Sequence, residues 1–173
     1  MSSRSRHKGQ WLFGSLFLAL PCALLVLYLW HGLPAATYTD AMATGQYQRA
    51  ARLLQPEILR NNPQAHNSLA NLHYLGLGVE RDYRRAALLY HAAAARGFAA
   101  AQLNLGHLYR QGLGVDKDIE RSYAWYVHAD IAGSPLAEYY LSRLSAELTL
   151  TPLQMQSIRE RWQTLEQLSA EAL

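Results

Sequence analysis

Seven histidines, one cysteine and thirteen acidic residues are the groups that could carry chemistry in this chain of 173 residues. Metal binding on a helix needs ligands three or four residues apart. No His-x-x-x-His pair occurs, and His66 and His73 lie seven apart, two turns along one face and too far to grip one ion unaided. His73 reads instead as a packed residue. Cys22 stands alone, so neither an intrachain disulfide nor a cysteine-based metal site can form. No serine has glycines at the spacing of a nucleophile elbow. No pair of carboxylates sits in an apolar context of the kind that separates an acid from a base. The expectation is a protein without catalytic residues, metal or cofactor.

The glycine phrases GLGV at 76–79 and 112–115 invite a phosphate-loop reading. That loop needs a Lys-Ser/Thr pair after the glycines and a strand before them, and neither is present. Charge is nearly balanced, with 16 basic residues against 13 acidic ones and a pI near 9.1. Arg4, Arg6 and Lys8 supply that excess within the first ten residues. No basic face large enough for nucleic acid is left in the remainder.

The elements that position the remaining polar residues begin with WLFGSLFLALPCALLVLYLW, residues 11–30, which contains no charge. As a helix it would rise about 30 Å, the thickness of a hydrocarbon core. Trp11, Tyr28 and Trp30 sit at its ends, where interfacial aromatics belong. Pro21 precedes Cys22 where a lipidation signal needs a small residue, and the apolar run continues beyond it. No small-x-small cleavage site follows closely, so an uncleaved single-span anchor is expected in preference to a signal peptide. The basic tail at 1–10 keeps the N-terminus cytoplasmic and places the rest across the membrane, which in a bacterium is the periplasm. Gly14 and Ser15 offer small residues through which spans could pair into a homo-oligomer.

Beyond a linker at 31–37 the chain repeats with an offset of 36. AHNSLANLHYLGLGVERDYRRAALLYHAAAARGFA begins at Ala65, AQLNLGHLYRQGLGVDKDIERSYAWYVHADIAGSP at Ala101, and AEYYLSRLSAEL at Ala137. The spacing predicts two helices per unit: units at 65–100 and 101–136, a degenerate first repeat at 38–62, and a half repeat at 137–148. Gly76, Gly78, Gly112 and Gly114 make the hairpin turns, where positive φ is cheap. Val79 and Val115 anchor those turns, and Asp82 and Asp118 cap the second helices. Thr151 with Gln154 forms a capping box ahead of a C-terminal helix at 151–170. Its stripe Met155, Ile158, Trp162 and Leu165 would close the end of the stack.

The run Ala101, Leu105, Gly106, Tyr109, Gly112, Gly114, Val115, Asp118, Tyr126, Ala129 and Gly133 resembles the consensus of the Sel-one-like (Sel1-like) repeat family, relatives of tetratricopeptide repeats. Ser122 and Asp130 depart from it, as do Ala70 and His73 in the preceding unit. The resemblance implies an all-α solenoid of αα-hairpins and the role of a scaffold or adaptor. Some cysteine-rich members are linked to β-lactam binding. The cysteine pairs are absent here, so that activity is not implied.

First helices of stacked hairpins line the concave surface. Positions two, six and nine after each leading alanine are expected to face it: Asn67, Asn71 and Tyr74, then Leu103, His107 and Arg110, then Tyr139 and Arg143. These types combine hydrogen bonds with flat contact area, which suits a protein or peptide partner. The expected protein is therefore a membrane-anchored periplasmic adaptor of an envelope complex. The alternatives are an envelope enzyme or a module binding β-lactam or cell-wall glycan, and a cleaved soluble periplasmic repeat protein.

Overall fold

The computed structural model describes residues 37–147 and 149–162, and its compact unit begins at Tyr38. Among these residues there are eight helices and no strand. They are α1 (Tyr38–Ala43), α2 (Tyr47–Leu59), α3 (Pro63–Leu75), α4 (Tyr83–Ala94), α5 (Ala99–Gln111), α6 (Ile119–Ile131), α7 (Ala137–Glu147) and α8 (Pro152–Arg161). They pack as consecutive hairpins, α1 with α2, α3 with α4 and α5 with α6, followed by α7 and α8 against α6. The expected span at 11–30, its basic flank and most of the linker lie outside the described residues, as do 163–170 of the expected last helix. Among the described residues no helix is long and apolar enough to cross a membrane.

The two full hairpins are built by the same local chemistry. Asn62 caps α3 by accepting the Gln64 N–H at 3.0 Å, and Pro63 occupies the first helical position, where its missing N–H costs nothing. This cap starts the helix two residues before Ala65, and α5 likewise starts at Ala99 rather than Ala101. Gly76 and Gly112 end the first helices in the left-handed conformation, each with φ +72°. The following Leu77 and Leu113 N–H groups reach back to Leu72 and Leu108 carbonyls at 3.0 and 3.1 Å. Each of these carbonyls also accepts from the glycine N–H, so the second bond ties the turn back onto the helix end. Asp82 and Asp118 then accept the Arg85 and Arg121 N–H groups, both at 2.9 Å, to start α4 and α6.

Gly78 and Gly114 have a second duty. A Cβ on Gly78 would lie 2.4 Å from the Gln48 nitrogen, and one on Gly114 2.2 Å from the Tyr83 oxygen. Each turn therefore rests on the backbone at the start of the preceding unit's second helix, and only glycine permits that approach. Val79 and Val115 pack beside these turns, half-buried against the core.

The core combines fully buried alanines with large buried aromatics. Ala65, Ala86, Ala93, Ala101 and Ala129 are fully buried. Tyr109, Trp125 and Tyr126 fill the wider space around them. The Tyr126 ring lies over Gly106, where a Cβ would come within 2.5 Å of it. His73 occupies the place Tyr109 has one unit later. It is buried, and its Nδ1 lies 3.1 Å from the Glu80 carbonyl of the turn. At the far end α8 lays Ile158 and Trp162 onto the core, and the His128 ring meets the Trp162 carbonyl at 2.9 Å. The Thr151–Gln154 capping box is formed in both directions.

Candidate functional site

A groove of about 640 Å³ opens along the first helices of the hairpins. Helix α3 contributes Asn71, Tyr74 and Leu75, and helix α5 contributes Asn104, His107, Leu108 and Gln111. Met42 and Tyr47 close one end, while Leu77 and Tyr90 come from the turn and second helix between them. Among the described residues no Asp, Glu, Lys or Arg lines it.

Its polar groups are held by the second helices. The Tyr90 hydroxyl donates to Oδ1 of Asn71 at 2.6 Å. One unit later the Tyr126 hydroxyl lies 3.0 Å from Nδ1 of His107. Both tyrosines are buried, and burial, the largest influence, pushes their hydroxyl pKa values up, so they stay protonated. Burial likewise lowers the His107 pKa, and the nearby Arg110 charge lowers it further. The imidazole is boxed edge-on by Tyr126, and by Tyr140 with ring centres 4.4 Å apart. Asn104 donates from Nδ2 to Oδ1 of Asn67 at 3.1 Å, tying α5 to α3.

The eight residues expected on the concave face divide into three groups. Asn71, Tyr74 and His107 line the groove together. Arg110 and Arg143 sit in the next, very small cleft with Glu147, which accepts a hydrogen bond from Arg110 at 3.3 Å. Tyr139 is 56% exposed and accepts a hydrogen bond from Arg143. Asn67 and Leu103 must be corrected. Both are buried, at 9% and 7% exposure. They occupy the second position of successive units, and that position points into the packing between neighbouring first helices. Oδ1 of Asn67 accepts from Asn104, and Leu103 belongs to the hydrophobic core. Tyr139 holds the same position in the last, incomplete unit and remains exposed.

Asn104, Gln111 and Leu75 were missed because they lie one position beyond the ones chosen, on the helix face that turns toward the groove. Tyr90, on the second helix, reaches the groove as well. The signal that it reaches the groove was its alignment with Tyr126, both long enough to span the hairpin. Among the described residues no cluster of three or more His, Cys, Asp or Glu side chains could hold a metal ion.

The hairpin geometry, its two glycines per turn and its capping aspartate agree with an independent comparison. The family model of the Sel1 repeat matches residues 63–98 and 99–127. The solenoid is of the Sel1 type. The matched units begin where α3 and α5 begin, two residues before the alanines that opened the sequence alignment. A Sel1 repeat protein from Oxalobacter formigenes superposes with a TM-score of 0.61 at 33% identity, over 66% of this chain and 47% of that one. A protective antigen present in uropathogenic Escherichia coli strains, displaying an SLR fold, gives 0.63 at 25% identity, over 77% of this chain and 32% of its own. The chain thus spans about half and a third of the lengths of those two proteins. No curated protein sequence matches the chain significantly. Sel1 repeats generally mediate protein–protein interaction.

Proposed function

We propose that this protein is an adaptor that binds a segment of another protein in the groove between α3 and α5. We propose further that residues 11–30 anchor it in the plasma membrane, with the solenoid on the far side and an envelope complex as its partner. The observation that carries the binding reading is the pinning of the groove's polar groups. Tyr90 and Tyr126 fix Asn71 and His107 from behind, so these side chains meet a partner already oriented. Preorganisation of this kind reduces the ordering cost of binding. The anchored location rests on the uncharged run at 11–30 and the basic residues before it.

The test is crosslinking and pull-down from intact membranes with the tagged full-length chain, beside a Tyr74→Ala/His107→Ala variant shown by circular dichroism to keep its helix content. Capture of one protein by the parent and its loss from the variant supports the groove. Equal capture by both moves the binding surface elsewhere. Recovery of the tagged chain in the carbonate-washed membrane fraction tests the anchor, and recovery in the soluble fraction sinks it.

A further inference from the structure

The groove carries two amide side chains with half of each still unused. Asn71 spends its Oδ1 on the Tyr90 hydroxyl. Its Nδ2 makes no hydrogen bond among the described residues and is not among the buried unpaired atoms, so it is open to solvent. Asn104 spends its Nδ2 on Asn67, and its Oδ1 is left in the same state. As these bonds stand, Asn71 turns its donor and Asn104 its acceptor to the groove they both line. From α3 and α5 the protein therefore presents one donor and one acceptor. That is the complement of a single peptide unit, which offers a C=O and an N–H.

The surroundings narrow the partner. Tyr74, Leu75, Leu108 and Met42 supply apolar surface, and among the described residues no charged side chain lines the groove. A segment carrying Asp, Glu, Lys or Arg would lose hydration there without a counter-charge. Arg110, at the rim toward α7, already has Glu147 as its partner.

We infer that the groove recognises an extended, uncharged polypeptide segment through its main chain, the Asn71 Nδ2 donating to a peptide carbonyl and the Asn104 Oδ1 accepting from a peptide N–H. This deepens the adaptor reading and rests on it. Affinity then depends on backbone groups and on small apolar side chains, not on charge pairing, so it changes little with salt.

The probes are N-acetylated, C-amidated nonapeptides on an array, half of uncharged composition and half carrying two acidic or two basic residues, exposed to the full-length chain in mild detergent. Retained peptides are then remade with single N-methyl groups along the backbone. The expected result is retention of uncharged peptides, about tenfold weaker binding on N-methylation at one or two central positions, and a comparable loss in Asn71→Asp. Asn71→Asp still accepts from Tyr90 but faces the peptide carbonyl with an oxygen. Uncharged binders that Tyr74→Ala abolishes but that ignore N-methylation and Asn71→Asp would leave the groove as the binding surface and overturn main-chain recognition. Retention of charged peptides alone overturns the inference in the same way. No retention of any peptide overturns both readings.

Discussion

The Tyr126 hydroxyl lies 3.0 Å from Nδ1 of His107, and 36 residues earlier Tyr90 stands in the same relation to Asn71. The repeat thus conserves a device rather than a residue pair within this chain. A tyrosine on the second helix crosses the hairpin to hold a polar group on the first.

Removing that hydroxyl tests the device. Tyr90→Phe keeps the ring packing and loses one hydrogen bond, at a cost of about 1 kcal/mol in urea unfolding. The Asn71 amide becomes free to rotate, so partner binding should fall more than stability does. An equal effect on both, or none on binding, would mean that Asn71 needs no orientation.

The turn glycines separate strain from crowding. Gly97 and Gly133 have φ of +77° and +81°, with open space where a Cβ would stand. Gly97→Ala should cost about 1 kcal/mol, the strain of the left-handed conformation alone. Gly114→Ala adds a collision with the Tyr83 backbone and should cost about 3 kcal/mol or more. Similar urea midpoints for the two variants would show that the turn can lift off its neighbour cheaply.

His107 makes stability depend on pH in one direction. Its folded pKa is lowered, by burial first and by Arg110 second, below the ordinary 6.5. The unfolded chain therefore binds the proton more readily. The contribution is fully present above pH about 6.5 and is lost progressively as pH falls below that value toward the folded pKa. Comparison with His107→Asn, which gives this unit the groove residue of the preceding one, cancels the other histidines. The parent should lose more stability between pH 7.5 and 5.5 than the variant does, by urea unfolding. Parallel losses would sink this reading.

The last helix should be sensitive to its cap. Thr151→Ala removes the side-chain acceptor of the Gln154 N–H and should cost about 1 kcal/mol. The effect should appear as fraying that uncovers Trp162, read as a red shift of tryptophan emission before global unfolding. An unshifted spectrum with the same midpoint would show that α8 is held by Ile158 and Trp162 without its cap.

What could be read from the sequence follows the range of the forces involved. Gly76, Gly112, Asp82 and Asp118 act on backbone within a few residues, so their residue types announced the turns and caps. Position within a unit also set Val79 and Val115 at the turns, where they pack half-buried against the core. The groove was legible only in part because it depends on how one hairpin leans on the next. That lean buries Asn67 and Leu103, and it brings Asn104 beside Asn67, 37 residues away. A helical period marks a face as apolar or polar. It does not say which polar flank a neighbouring unit will cover.

The seat of Gly114 on the Tyr83 backbone has a consequence for how such a chain can change over generations. The joint between units uses peptide atoms, which every sequence possesses, and asks only for glycine on the incoming side. Duplicating a 36-residue module in frame would therefore add a hairpin without redesigning the surface it lands on. The groove could lengthen by copying, while the residues that read the partner diversify one module at a time.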